Sequence, residues 1–153
     1  MKTSPSQINL DTSPKEILKM VAKSRERKGK GKSTLAILNK AIDVIHDYIV
    51  NLYFERAHVY QLVYMAERDK PRGGNKAVMR KALSSMEKYL SETDNYIVSS
   101  NLTRWTSRLN RYYGRVADYK GKFLDAIKFY QVAIRYSRRD PEYVNDSCPR
   151  WLE

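Results

Sequence analysis

Cysteine is nearly absent from this chain: Cys148 is the only one in 153 residues. That excludes an internal disulfide framework, and with no second soft ligand near it in sequence the thiol reads as reduced and without a role. Histidine is almost as scarce, with His46 and His58 the only two. No spacing of Cys, His, Asp or Glu assembles a metal site or a nucleophile–base pair, so each histidine reads as a packing or rim residue. Glu92 and Asp94 read as surface and helix-cap carboxylates rather than a catalytic pair. The expectation is a non-enzymatic protein that uses no cofactor. Long hydrophobic runs are missing too; no stretch of roughly eighteen apolar residues occurs, so no membrane span or membrane partner is expected. The segment MKTSPSQINLDTSPKEIL lacks the apolar core of a secretory signal, which makes the cytoplasm the expected location. It also leaves the sequons at Asn101 and Asn145 without weight.

Negative charge is the remaining shortage. Against 29 Lys and Arg stand 17 Asp and Glu, a formal net charge of +12. Such an excess points to an anionic partner, whether acidic peptide, phosphate group or nucleic acid. What the chain has in quantity is tyrosine, 12 residues, a side chain suited both to helix packing and to partner contact. With 42% hydrophobic and 30% charged residues, the composition is that of a globular domain able to bury a core.

Helical signals run through the chain, and nothing reads as a sheet. Residues 1–12 are expected to be disordered. Ser13-Pro14-Lys15-Glu16 supplies an N-cap serine, proline at the first helical position and glutamate three after the cap, a capping box. The helix it opens carries Ile17, Leu18 and Val21, and ends in the basic run Lys23–Lys32, broken by Gly29 and Gly31. A second helix starts near Ser33, with Leu35, Leu38, Ile42 and Ile45 on one face at three- and four-residue spacing. From there to Arg68 no proline or glycine intervenes, so one long helix and two joined near His46–Tyr48 are both allowed. Two are favoured, because a single helix of that length must find separate packing partners along it. Pro71-Arg72-Gly73-Gly74 is a loop. Helices are expected over about Asn75–Leu90, from Asn95 or Ser100 to Tyr119, and over Phe123–Ser137, with Asp140-Pro141 as the stop and 141–153 as a tail.

The richest stretch is Arg111–Asp140, which reads as helix, glycine-marked turn and helix. Gly114, Gly121, Phe123, Ala126, Tyr130 and Ala133 fall at the offsets of a tetratricopeptide-type repeat. Leu18, Val21, Ala22, Gly29, Thr34, Leu38 and Ala41 occupy the same offsets in a first unit. Tyr53, Ala57, Tyr60, Met79 and Ala82 do so in a second, with extra residues in its internal turn. Over residues 13–140 the chain therefore resembles the tetratricopeptide repeat family. The resemblance implies an all-α, right-handed solenoid of about three irregular helix pairs, small residues allowing the helix backbones to approach.

The same resemblance implies a binding role on a concave face lined by the first helix of each pair. Those positions are Glu16, Lys19, Lys23 and Glu26 in the first unit, Asn51, Phe54, His58 and Gln61 in the second, and Arg108, Arg111, Arg115 and Asp118 in the third. With Arg104 added, four arginines stand at i, i+4, i+7 and i+11, one stripe of one helix. Some members of the family clamp a chaperone's C-terminal carboxylate. Lys19 and Arg108 match that clamp, whereas Lys23, Glu55 and Tyr112 depart from it. The implied function is binding of an acidic or phosphorylated protein segment, with Arg104, Arg108, Arg111 and Arg115 as anionic anchors. Phe54 and His58 would be groove contacts, and Lys19 and Lys23 a second basic patch. The alternative is RNA or DNA binding through the basic loop 23–32 and the arginine stripe 104–115. Gly31-Lys32-Ser33 resembles the end of a phosphate loop, but Glu26 stands where a glycine is needed and no strand precedes it, so nucleotide binding is rejected. A solenoid also needs its terminal face covered. Trp151 and Tyr143 folding back, or a second copy in a homodimer, are the two ways open to it.

Overall fold

The structure, a computed structural model, describes residues 5–27, 29 and 31–141. Lys28 and Lys30 of the basic loop, and the tail expectations for Tyr143, Cys148 and Trp151, lie outside the described residues. Among those described, all regular structure is helical: α1 (Pro14–Arg25), α2 (Gly31–Arg68), α3 (Lys76–Ser99), α4 (Thr106–Tyr119) and α5 (Phe123–Tyr136). Short 3-10 turns stand at Pro5–Gln7, Thr103–Trp105 and Ser137–Arg139. The chain divides into two compact units, Met1–Asn51 and Leu52–Glu153, where the sequence suggests one domain over 13–140.

In the first unit α1 opens as expected. Ser13 accepts from the Glu16 amide while the Glu16 carboxylate accepts from the Ser13 amide at 2.9 Å. That hydrogen bond to the Ser13 backbone holds the Glu16 carboxyl below its ordinary range. The core of this unit joins Ile17 of α1 to Ile37, Ala41 and Val44 of α2, with Met20 and Val21 beside them. Ile8 is buried in the same cluster, and Asn9, Asp11 and Thr12 tie its turn through short side-chain hydrogen bonds. In the segment 1–12, expected to be disordered, the described residues 5–12 thus place one isoleucine within an apolar cluster, amid polar neighbours. After α1, Ser24 and Thr34 share a hydrogen bond of 2.8 Å, which pins together the two ends of the basic loop.

The long segment is also corrected. α2 runs unbroken from Gly31 to Arg68, with no joint near His46–Tyr48. No residue in that interval removes a backbone donor or favours left-handed backbone, so the hydrogen-bond ladder has no reason to stop. The separate packing partners exist, α1 in the first unit and α3 and α4 in the second. The face chosen for burial differs too. Ile37, Ala41 and Val44 are buried, whereas Leu35, Ile42 and Ile45 are exposed.

In the second unit, tyrosines do much of the packing along α2. Tyr53 and Tyr60 stack on Tyr96 and Tyr89 of α3, and Phe54 and Tyr64 on Tyr112 and Tyr119 of α4. α3 continues to Ser99, well past the expected end at Leu90. Its Ser-Glu-Thr-Asp-Asn stretch looks like a break, yet Met86, Leu90, Thr93 and Ile97 keep helical spacing and are all buried. Helix ends follow their glycines and asparagines. Gly74 admits the chain beside Glu67, whose carbonyl oxygen would lie 1.9 Å from an added Cβ. Gly121, at φ 71°, closes α4 with the Lys122 amide bonded to the Ala117 carbonyl at 2.8 Å, a Schellman ending.

Candidate functional site

α4 and α5 form a helical hairpin whose close approach depends on Gly114. A Cβ there would stand 2.6 Å from the Tyr130 ring, so the tyrosine occupies the space that glycine leaves. Ala126 and Ala133 are buried on the facing side, and Ser107 donates to the Ala133 carbonyl at 2.7 Å.

This packing decides the fate of the arginines. Arg108 is only 5% exposed and Asp140 is fully buried; a guanidinium nitrogen lies 3.2 Å from the Asp140 carboxylate. The Arg108 guanidinium also lies 4.5 Å from the Trp105 ring centroid. It is therefore an internal cation holding the end of the hairpin, not a groove anchor, and Asp140 is the carboxylate it binds. Arg104 falls in the 3-10 turn Thr103–Trp105, ahead of α4, so the four arginines do not share one helical stripe. Arg115 is half-buried, donates to Gln61 at 3.3 Å and lies over the Tyr112 ring; Arg111 is half-buried beside it on the helix. Burial pushes the Tyr112 phenol above its ordinary range despite the nearby Arg115 and Arg111 charges.

Phe54, expected at a partner contact, is a core residue, 2% exposed between Trp105 and Tyr112. His58 is half-exposed, its Nδ1 3.7 Å from Glu55. Lys19 and Lys23 are exposed on α1 of the first unit. The predicted set is thus split, with Phe54 and Arg108 withdrawn into the interior.

An opening better suited to a ligand lies elsewhere in the second unit. A cavity of about 690 Å³ is lined by Tyr64, Met79, Leu83 and Tyr119 among apolar and aromatic surfaces, with Lys76, Arg80 and Lys120 as cations. Its size is that of ordinary ligand pockets. Tyr64 and Tyr119 stack at 4.6 Å, and Tyr64 donates to the Tyr119 carbonyl at 3.3 Å, so the aromatic wall is held in place. Lys120 pairs with Glu87, whereas Lys76 and Arg80 form no ion pair among the described residues. Lys76 begins α3, whose first turn holds no acidic residue. A cation at the positive end of a helix costs about 0.3–1 kcal/mol, and that positive field adds to the charge of Lys76 and Arg80. The sequence carries a signal for this pair that the repeat offsets pass over: two cations at i, i+4 flanking Met79 directly after a glycine loop.

Among the described residues no group of three or more His, Cys, Asp and Glu is placed to hold a metal ion, and no helix is long and apolar enough to cross a membrane. No family model matches the chain, and comparisons with known protein sequences and with solved structures find no significant match.

Proposed function

We propose that the chain is a tetratricopeptide-like, non-enzymatic interaction module that binds an acidic or phosphorylated protein segment. The solenoid reading is supported by the hairpin, where Gly114 meets Tyr130 and Ala126 and Ala133 are buried. It is also supported by α2 lying against α4 through Phe54–Tyr112 and Tyr64–Tyr119, as first helices of neighbouring repeats do.

The observation that carries the binding role is the cavity with Lys76 and Arg80 beside an aromatic floor. A carboxylate or phosphate of the partner would meet the two cations, and an apolar side chain next to it would enter over Tyr64 and Met79. Desolvation beside the floor strengthens each charged hydrogen bond to roughly 1.5–3 kcal/mol, against roughly 0.2–1 kcal/mol for an exposed ion pair. Anchoring thereby moves from the arginine stripe to the cavity rim, with the charges of Arg111 and Arg115 adding long-range attraction.

The test uses a fluorescein-labelled peptide of mixed Glu and Leu, read by anisotropy. Lys76→Glu with Arg80→Glu should reduce affinity at least tenfold while far-UV circular dichroism and the melting temperature hold, both side chains being exposed. Binding unchanged by the double substitution sinks the cavity assignment. Tighter binding of single-stranded RNA than of the peptide at physiological salt would favour the nucleic-acid alternative.

A further inference from the structure

The second unit holds another cavity, of about 440 Å³, where the end of α3 meets the α4–α5 hairpin. α3 ends at Ser99, Asn101 takes left-handed backbone at φ 54°, and the Leu102 amide bonds to the Ile97 carbonyl at 2.9 Å. That turn carries the chain over into α4, so that Ile97 of α3 and Leu109 of α4 share the cavity floor. Tyr113 and Phe129, with ring centroids 5.5 Å apart and planes tilted by 31°, form an aromatic wall. The size is at the small end of ordinary ligand pockets and admits a single side chain.

The polar groups around this floor offer acceptors. The Thr106 hydroxyl donates to the Thr103 carbonyl at 2.7 Å, and the Asn110 amide nitrogen donates to the Thr106 carbonyl at 2.8 Å. Both side chains spend a donor on the backbone, which leaves the Thr106 hydroxyl oxygen and Asn110 Oδ1 with lone pairs to offer. The Asp94 carboxylate is the third acceptor. Among the described carboxylates of this unit, Asp94 is the half-buried one that forms no ion pair; Asp118 and Asp125, likewise without one, are exposed. The neighbouring Tyr113 phenol brings no charge, because burial first and Asp94 second push it up to about 12. Among the described residues no Lys or Arg lines the cavity. A carboxylate withdrawn from water is costly without a cation beside it, and here the chain supplies none.

We propose that this cavity binds the guanidinium of an arginine side chain presented by a partner protein. Arginine carries five N–H donors and no acceptor, which matches a rim of acceptors. Its plane stacks on aromatic faces and is more weakly hydrated than an ammonium, so the wall of Tyr113 and Phe129 favours it over lysine. The net charge of +12 does not forbid a cation here. At physiological salt, exposed charges more than about 8 Å apart are largely screened, whereas a partly buried pair is screened much less. No residue lines both this cavity and the one at Lys76 and Arg80, so the two assignments stand or fall separately.

Nuclear magnetic resonance titration of the isotope-labelled full chain with Nα-acetyl-arginine methylamide, at physiological salt, tests the assignment. Saturable shifts centred on the Asn110 side-chain amide and the Tyr113 and Phe129 rings are expected. The citrulline counterpart, neutral and of similar shape, should give no saturable shift, and the lysine counterpart should bind several-fold more weakly. Asp94→Asn keeps the shape of the side chain and should weaken the arginine probe about tenfold. Phe129→Leu keeps an apolar side chain and should weaken it about two- to fivefold. A wild type without saturable shifts, or with shifts centred elsewhere, overturns the proposal. So does an Asp94→Asn chain that stays helical by far-UV circular dichroism and binds as wild type does. Unchanged binding by a folded Phe129→Leu chain, or a lysine probe as tight as arginine, overturns the choice of guanidinium independently of Asp94.

Discussion

The hairpin of α4 and α5 and the long helix α2 show two relations between pattern and packing. In the hairpin, small residues fall where backbones meet: Gly114 leaves room for Tyr130, and Ala126 and Ala133 are buried. A short turn brings the partner helix next in sequence, so local spacing and tertiary contact coincide. α2 has two apolar faces, one through Ile37, Ala41 and Val44, the other through Leu35, Ile42 and Ile45. Periodicity alone weighs both equally. The lesson is that small residues report a contact more directly than large ones, because a glycine or alanine is informative only where something fills its space.

The largest expected effect lies at the hairpin's end. Asp140→Ala leaves the Arg108 guanidinium buried without its carboxylate, costing roughly 3–5 kcal/mol, which lowers the melting temperature by about 10–20 °C. Arg108→Met combined with Asp140→Leu should recover most of that loss. If the double variant is no better than Asp140→Ala, the pair does more than neutralise a buried charge.

The two faces of α2 differ next. Ile37→Ala should cost roughly 2–5 kcal/mol, while Leu35→Ala should change stability by about 0.5 kcal/mol or less, measured by urea unfolding at sub-micromolar concentration. Equal losses at the two positions would erase the distinction between them.

The smallest effect returns to the hairpin. Burial first, and Asp94 second, push the Tyr113 phenol up to about 12 from an ordinary value near 10. A raised value in the folded state favours the protonated form, so the contribution is fully present below pH 10 and is lost as pH rises through 12. Wild type should therefore lose thermal stability across that window more steeply than Tyr113→Phe. Parallel profiles for the two would remove Tyr113 from the account.

Much of the fold was legible where the signal is local. The capping box at Ser13 and the loop before Asn75 match their readings within a residue or so, since caps and turns depend on neighbours in sequence. Excess positive charge pointed to an anionic ligand, but it could not say which cations face solvent. Arg108 was read as one of four anchors and lies buried against Asp140, which reaches it from far along the chain. Phe54 looked like a contact residue and became core for the same kind of reason, with Trp105 and Tyr112 closing over it.

By itself, then, the sequence determined that this chain is helical, strongly basic and punctuated at Ser13, Gly74 and Gly121, all consequences of short-range sterics, hydrogen bonding and composition. Tertiary structure decided which apolar face of α2 is covered, which arginine is neutralised inside and that Lys76 and Arg80 border a cavity. Those outcomes depend on contacts between residues distant in sequence, where burial and charge pairing are set by the partner rather than by the residue.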